Sequence, residues 1–153
     1  MKLPWYFSAF SLMLAGTLYA SEETVHCLIG HELKAALAGI TPGSTLHVSG
    51  ACFGPLKITN DNLLLVGDES GSKAILQNPS YSTTQQSLIS IENATGVWLT
   101  GFQVNNGRNK VTATNNSSFT FHNMDIEEQF SNTLLTNANA QLSDISIIQK
   151  QSH

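Results

Sequence analysis

From residue 46 onward, apolar residues recur in pairs two positions apart, separated by short stretches of Asn, Gly and Ser. Leu46/Val48, Leu56/Ile58 and Leu63/Leu65 are the first pairs, followed by Ala74/Leu76, Ile89/Ile91 and Val97/Leu99. Phe102/Val104, Val111/Ala113 and Phe119/Phe121 form a third set. Met124/Ile126, Leu134 or Leu135, and Ala140/Leu142 form a fourth, and Ile145/Ile147 opens a fifth. A period of two predicts brief strands with one buried face.

The sets start at 46, 74, 102, 124 and 145, and their sequences overlay. NATGVWLTGFQV (93–104) lies over NNSSFTFHNMDI (115–126) and, one residue shorter, over NANAQLSDISI (137–147). Val97, Phe119 and Ala140 fall together, as do Leu99, Phe121 and Leu142, while Gly101, Asn123 and Asp144 share a corner. Three short strands per copy predict a solenoid whose parallel coils stack on one another. Its boundaries are an N-terminal strand and cap over 21–42, coils over 43–148 and a tail over 149–153.

Composition agrees with many corners. The chain of 153 residues holds 17 Ser, 14 Thr, 13 Asn and 8 Gln, against only 12% charged residues. Asn, Gly and Asp tolerate the left-handed backbone that corners require. A net charge of −4 without a basic cluster excludes an electrostatic footprint for nucleic acid or anionic membrane.

The first segment is read separately. Lys2 precedes an apolar run to Ala20, and Ser21-Glu22-Glu23 follows, the layout of a secretory signal peptide over 1–20. Leu18 stands where cleavage after Ala20 favours a small residue, so an uncleaved anchor is the alternative. Cleavage leaves no segment of membrane-spanning length, and the expected location is secreted or periplasmic. Export permits a bridge between Cys27 and Cys52, closing a loop of about 25 residues for roughly 3 kcal/mol. Two buried free thiols are the other reading.

The stretches LKAALAGITPGSTLHVSGACFGPLKITNDNLLLVGDE (33–69) and SLISIENATGVWLTGFQVNNG (87–107) resemble the opening of right-handed parallel β-helices of the pectin-lyase-like superfamily. The resemblance implies a mainly β fold of about four coils with a short helix over the first, which Glu32 to Ala38 fits through Leu33, Ala36 and Leu37. It implies no single function, because the superfamily holds lyases, hydrolases and adhesins.

Residues between the paired positions face outward. The first expected column is His47, Ile75, Gln103, Asp125 and Ser146. The second includes Lys57, Ser90 and Thr112, and the third Leu64, Trp98, Thr120 and Gln141, with Thr100, His122 and Ser143 beside it. Trp98 offers a flat apolar surface for a sugar ring, with Thr120 and His122 nearby as hydrogen-bonding groups. Covering of Trp98 and Leu64 by the insertion 77–87 is the structural alternative.

Asp125, Glu127 and Glu128 are the densest acidic run of the coils. Lyases of the resembling group hold Ca²⁺ on such carboxylates beside a basic residue. Here the expected neighbours of Asp125 are Gln103 and Ser146, a poor cage for an ion that takes six to eight oxygens. Asp125 is accordingly expected on a solvated acidic edge, with no metal and no cofactor, Ca²⁺ being the exception considered. Arg108 and Lys110 sit at a corner as solubilising charge, and the Asp-Asp and Gly-His-Gly segments of polygalacturonase-like hydrolases do not occur. The histidines, His26, His31, His47, His122 and His153, show no metal-binding spacing.

The expected role is therefore a non-catalytic exported module, glycan-binding through Trp98, Thr120, His122 and Asp125. A polysaccharide lyase or hydrolase fragment acting on uronate polymers and a structural adhesin-like segment are the rivals. Because 149–153 supplies no cap, the chain is expected to be a truncated form or to be completed at that end by self-association or a partner.

Overall fold

The computed structural model describes residues 19–67, 71–78, 87–105, 111–127, 134–135 and 138–148. The export segment, the insertion 79–86, Arg108, Lys110, Glu128 and the tail 149–153 lie outside them, apart from Tyr19 and Ala20.

The described chain runs β1 (Glu22–Cys27), α1 (Glu32–Gly39), β2 (Thr45–Phe53), β3 (Leu56–Ile58), β4 (Leu64–Gly67), β5 (Ala74–Gln77) and β6 (Ile89–Glu92). It continues through β7 (Val97–Thr100), β8 (Phe102–Asn105), β9 (Val111–Thr114), β10 (Ser118–Glu127), β11 (Leu134–Leu135) and β12 (Asn139–Ile148). Every strand pairing is parallel, and the strands wind into a β-solenoid of about four turns.

Three faces result. On the first, β1, the start of β2, β4, β7, the start of β10 and the start of β12 lie in that order. The second stacks the end of β2, β5, β8 and the later halves of β10 and β12. The third stacks β3, β6, β9 and β11.

The alternating pattern produces this winding because each inward side chain lands on its counterpart one coil away. Leu46, Leu65, Leu99 and Phe121 form one such row and are buried. Leu56, Ile89 and Val111 form another. Each fully buried Leu or Ile contributes roughly 2 kcal/mol of apolar burial.

The corners follow the composition. Between the first and second faces, Gly50, Gly101, Asn123 and Asp144 take positive φ, the last three at the positions where the repeats overlay. Between the third and first faces the same conformation falls on Asn62, Asn93, Asn115 and Asn116. Polar bonds stitch coil to coil there: Thr95 donates its N–H to Asp61 Oδ1 at 2.7 Å, and Gly96 donates to Ser118 Oγ at 2.9 Å.

At the N-terminal end, α1 buries Leu33 and Leu37 against the first coils. Glu32 folds back so that Oε1 accepts the N–H groups of Ile29 at 2.8 Å and Leu28 at 3.1 Å. The Ile29 bond, above all, holds the Glu32 carboxyl below the ordinary glutamate range. Cys27 and Cys52 are joined in a disulfide with Cα atoms 5.2 Å apart, so the free-thiol alternative does not hold.

One register expectation is corrected. His47 does not stand below Ile75, Gln103, Asp125 and Ser146. That place belongs to Ala51, and His47 lies on the first face under Val66. The cause is the length of β2: it runs nine residues around the Gly50 corner and serves two faces. The pair Leu46/Val48 therefore belongs with Leu63/Leu65, and Cys52 is the inward residue of the second face.

Candidate functional site

The first face is an open parallel sheet, and its outward residues form two adjoining columns. One runs Glu22, Thr45, Leu64, Trp98, Thr120, Gln141. The other runs Thr24, His47, Val66, Thr100, His122, Ser143. Successive members stand about 4.8 Å apart, close to the rise of a polymer that contacts several coils at once.

Trp98 sits in the middle of this face and is 47% exposed, so no described segment covers it. Its neighbours along the column are Leu64 and Thr120. Thr120 occupies the outward register yet is buried at 9% exposure, because the longer side chains of Trp98 and Gln141 flank it. It is a wall of the platform rather than an open hydrogen-bonding group.

His122 is half-exposed. Its Nδ1 lies 3.0 Å from Ser143 Oγ and 3.1 Å from Asp144 Oδ2. Both partners meet the same ring nitrogen. A nucleophilic relay needs the two nitrogens to serve two partners, one taking the hydroxyl proton while the other is held by the carboxylate. This arrangement orients the imidazole and leaves Nε2 toward a ligand.

Toward the N-terminal end the same face holds a cleft of about 270 Å³ lined by Thr24, His26, His47, Ser49 and Val66, among others. His26 Nδ1 is 2.6 Å from Ser49 Oγ, and His47 Nε2 is 2.9 Å from Glu22 Oε1. The sequence reading passed over His26 and His47 because it sought ligand spacing along one strand. In a solenoid the useful spacing is the coil length, and these pairs are separated by 23 and 25 residues, like His122 and Ser143 at 21.

Asp125 is not with the others. It faces the second side, in a column with Ile75, Gln103 and Ser146. Nor is it a solvated edge. Lys73 Nζ lies 2.8 Å from Asp125 Oδ1, and both side chains are only 25% exposed. Lys73 was missed because it precedes β5 and belongs to no paired position. An ammonium bound to the carboxylate occupies the oxygen a cation would use. Among the described residues no group of three His, Cys, Asp or Glu comes together.

The third face carries a more exposed pair, Lys57 with Glu92 at 2.8 Å. The Lys57 contact first, then the Ser90 hydroxyl, holds the Glu92 carboxyl low.

The fold and this face define a three-sided parallel β-solenoid with one aromatic, imidazole-lined side. Comparison with family models, with curated proteins and with solved structures finds no match to this chain. Among the described residues no helix is long and apolar enough to cross a membrane, and the disulfide is of the kind that persists in oxidising compartments.

Proposed function

We propose that this chain is an exported, non-catalytic carbohydrate-binding solenoid, a short relative of the pectin-lyase-like proteins, that holds a glycan along its first face. The observation that carries the reading is Trp98, an indole left open in the centre of a regular sheet where small polar residues would suffice for solubility. A sugar ring stacks its C–H face on such a surface, and Thr100, His122 and Ser143 in the next column supply donors and acceptors for its hydroxyls.

The charge of the face favours a neutral glycan. Among its described outward residues there is no Lys or Arg, and Glu22 and Asp144 each pair with an imidazole. A uronate polymer would meet no fixed positive charge there. The groups that a lyase or hydrolase needs are also poorly served, since Asp125 is tied to Lys73 on another face and His122 meets Ser143 and Asp144 through one nitrogen.

Titration of tryptophan fluorescence with neutral glucan and xylan oligosaccharides, and with pectic and alginate oligosaccharides, tests this. Saturable change with a neutral series, abolished in Trp98→Ala, is expected. No response to any glycan, or a response confined to the acidic series, overturns it. Release of unsaturated uronides from pectin or alginate, lost in Asp125→Ala, would instead establish the enzymatic alternative.

A further inference from the structure

β12 lies at the end of the stack opposite α1, and there the row of core residues is open. Leu142 continues the row of Leu46, Leu65, Leu99 and Phe121 by register, yet it is 65% exposed. Ala140 is exposed, and Ile145 is only partly buried. β10 pairs with one edge of β12, and no described strand pairs with the other. Such an edge, lying over an apolar row, is a template for another strand.

The residue order of β12 specifies which strand fits. Leu142 and Ile145 lie one residue beyond the Ser143-Asp144 corner, Gln141 and Ser146 two residues, and Ala140 and Ile147 three. The pattern reads the same in both directions because Asp144, at φ 52°, interrupts the alternation at the corner. A second β12 laid antiparallel about a two-fold axis through this corner sets Leu142 opposite Ile145, Ala140 opposite Ile147 and Gln141 opposite Ser146. Apolar positions then meet apolar ones, and polar meet polar. The axis also carries the first face of one copy over the second face of the other, so both continue past the junction.

The other way to add a copy, its β1 stacked on β12, is obstructed. α1 covers the β1 end with Leu33 and Leu37 buried against it. A head-to-tail contact would also generate open fibres, whereas the two-fold contact closes.

We infer that β12 is a dimerisation edge at which two copies of this chain join end to end into one longer solenoid. Backbone hydrogen bonds between the two edges supply the adhesion, and the facing apolar rows supply the register. This inference does not depend on the glycan reading.

Sedimentation equilibrium of the whole chain over a concentration series is expected to give the mass of two chains, falling to one on dilution. Leu142→Arg, at an exposed position, is expected to keep the circular dichroism spectrum while halving the mass. As an independent register test, Gln141→Cys/Ser146→Cys is expected to oxidise to a covalent dimer while Gln141→Cys alone does not. A chain that is monomeric throughout overturns the inference, as do open-ended oligomers, continued dimerisation of Leu142→Arg, or failure of the double cysteine variant to cross-link.

Discussion

Removing the Cys27–Cys52 bridge tests how the N-terminal coil is held. The bridge joins residues 25 apart, and the loop that it closes contains α1 and most of β2. Chain entropy for a loop of that length gives roughly 3.5 kcal/mol at 25 °C. At about 2.1 cal/mol/K per residue over ~130 residues, the same free energy is ~13 °C in Tm. Cys27→Ala/Cys52→Ala is the cleaner perturbation, since Cys52 is fully buried and a serine hydroxyl there would lack a partner. Chemical denaturation of the variant, and of the native protein with and without a reducing agent, should agree within about 1 kcal/mol, the variant losing slightly more through the voids left by two sulfurs. A loss below about 1 kcal/mol by both routes would refute the argument, because it would mean that the β1–α1 segment stays ordered in the unfolded ensemble or adds nothing to the cooperative unit.

Other consequences follow from single contacts. Lys73→Met should destabilise by about 1–2 kcal/mol, leaving a mostly buried carboxylate unpaired, and Asp125→Asn added to it should restore part of the loss; a double-mutant cycle by urea denaturation reads the coupling. Asn123→Ala should cost about 1 kcal/mol because φ there is 50°, whereas Asn123→Gly should be near neutral; equilibrium unfolding distinguishes them. The Glu32 carboxyl is held below its ordinary value of 4.5 by the Ile29 N–H. Its stabilising contribution is therefore present above that value and is lost as pH falls through the lower folded-state value. Wild type should accordingly exceed Glu32→Gln in stability at neutral pH, with the gap closing in acid, as followed by melting at a series of pH values. Trp98→Ala should leave Tm nearly unchanged, because half of the indole is already in water, while removing glycan binding.

The parity of each strand was legible in the chain because it is local. Whether Val97 or Trp98 faces the core depends only on alternation, and the structure buries the first and exposes the second. The corners were legible for the same reason: Gly101, Asn123 and Asp144 are residues that accept positive φ, and they do. The second and third columns, the capping helix and the number of coils all came from repeating those two local signals.

Three features were settled only by the stacking of coils. β2 passes a corner without a break, so a pattern of paired residues assigned His47 to the wrong face; nothing in LHVSGACF marks where one face ends except Gly50. Lys73 reaches Asp125 across 52 residues of sequence, a partnership that no period along the chain encodes. The imidazole pairs of the first face join residues one coil apart, so they became visible only once the coil length was fixed by register. Alternation is a property of consecutive peptide units, and the sequence by itself determined it together with the residues that can turn corners. Which faces adjoin, and which charges meet across coils, depends on summed strand lengths and corner angles, and the tertiary structure alone decided them.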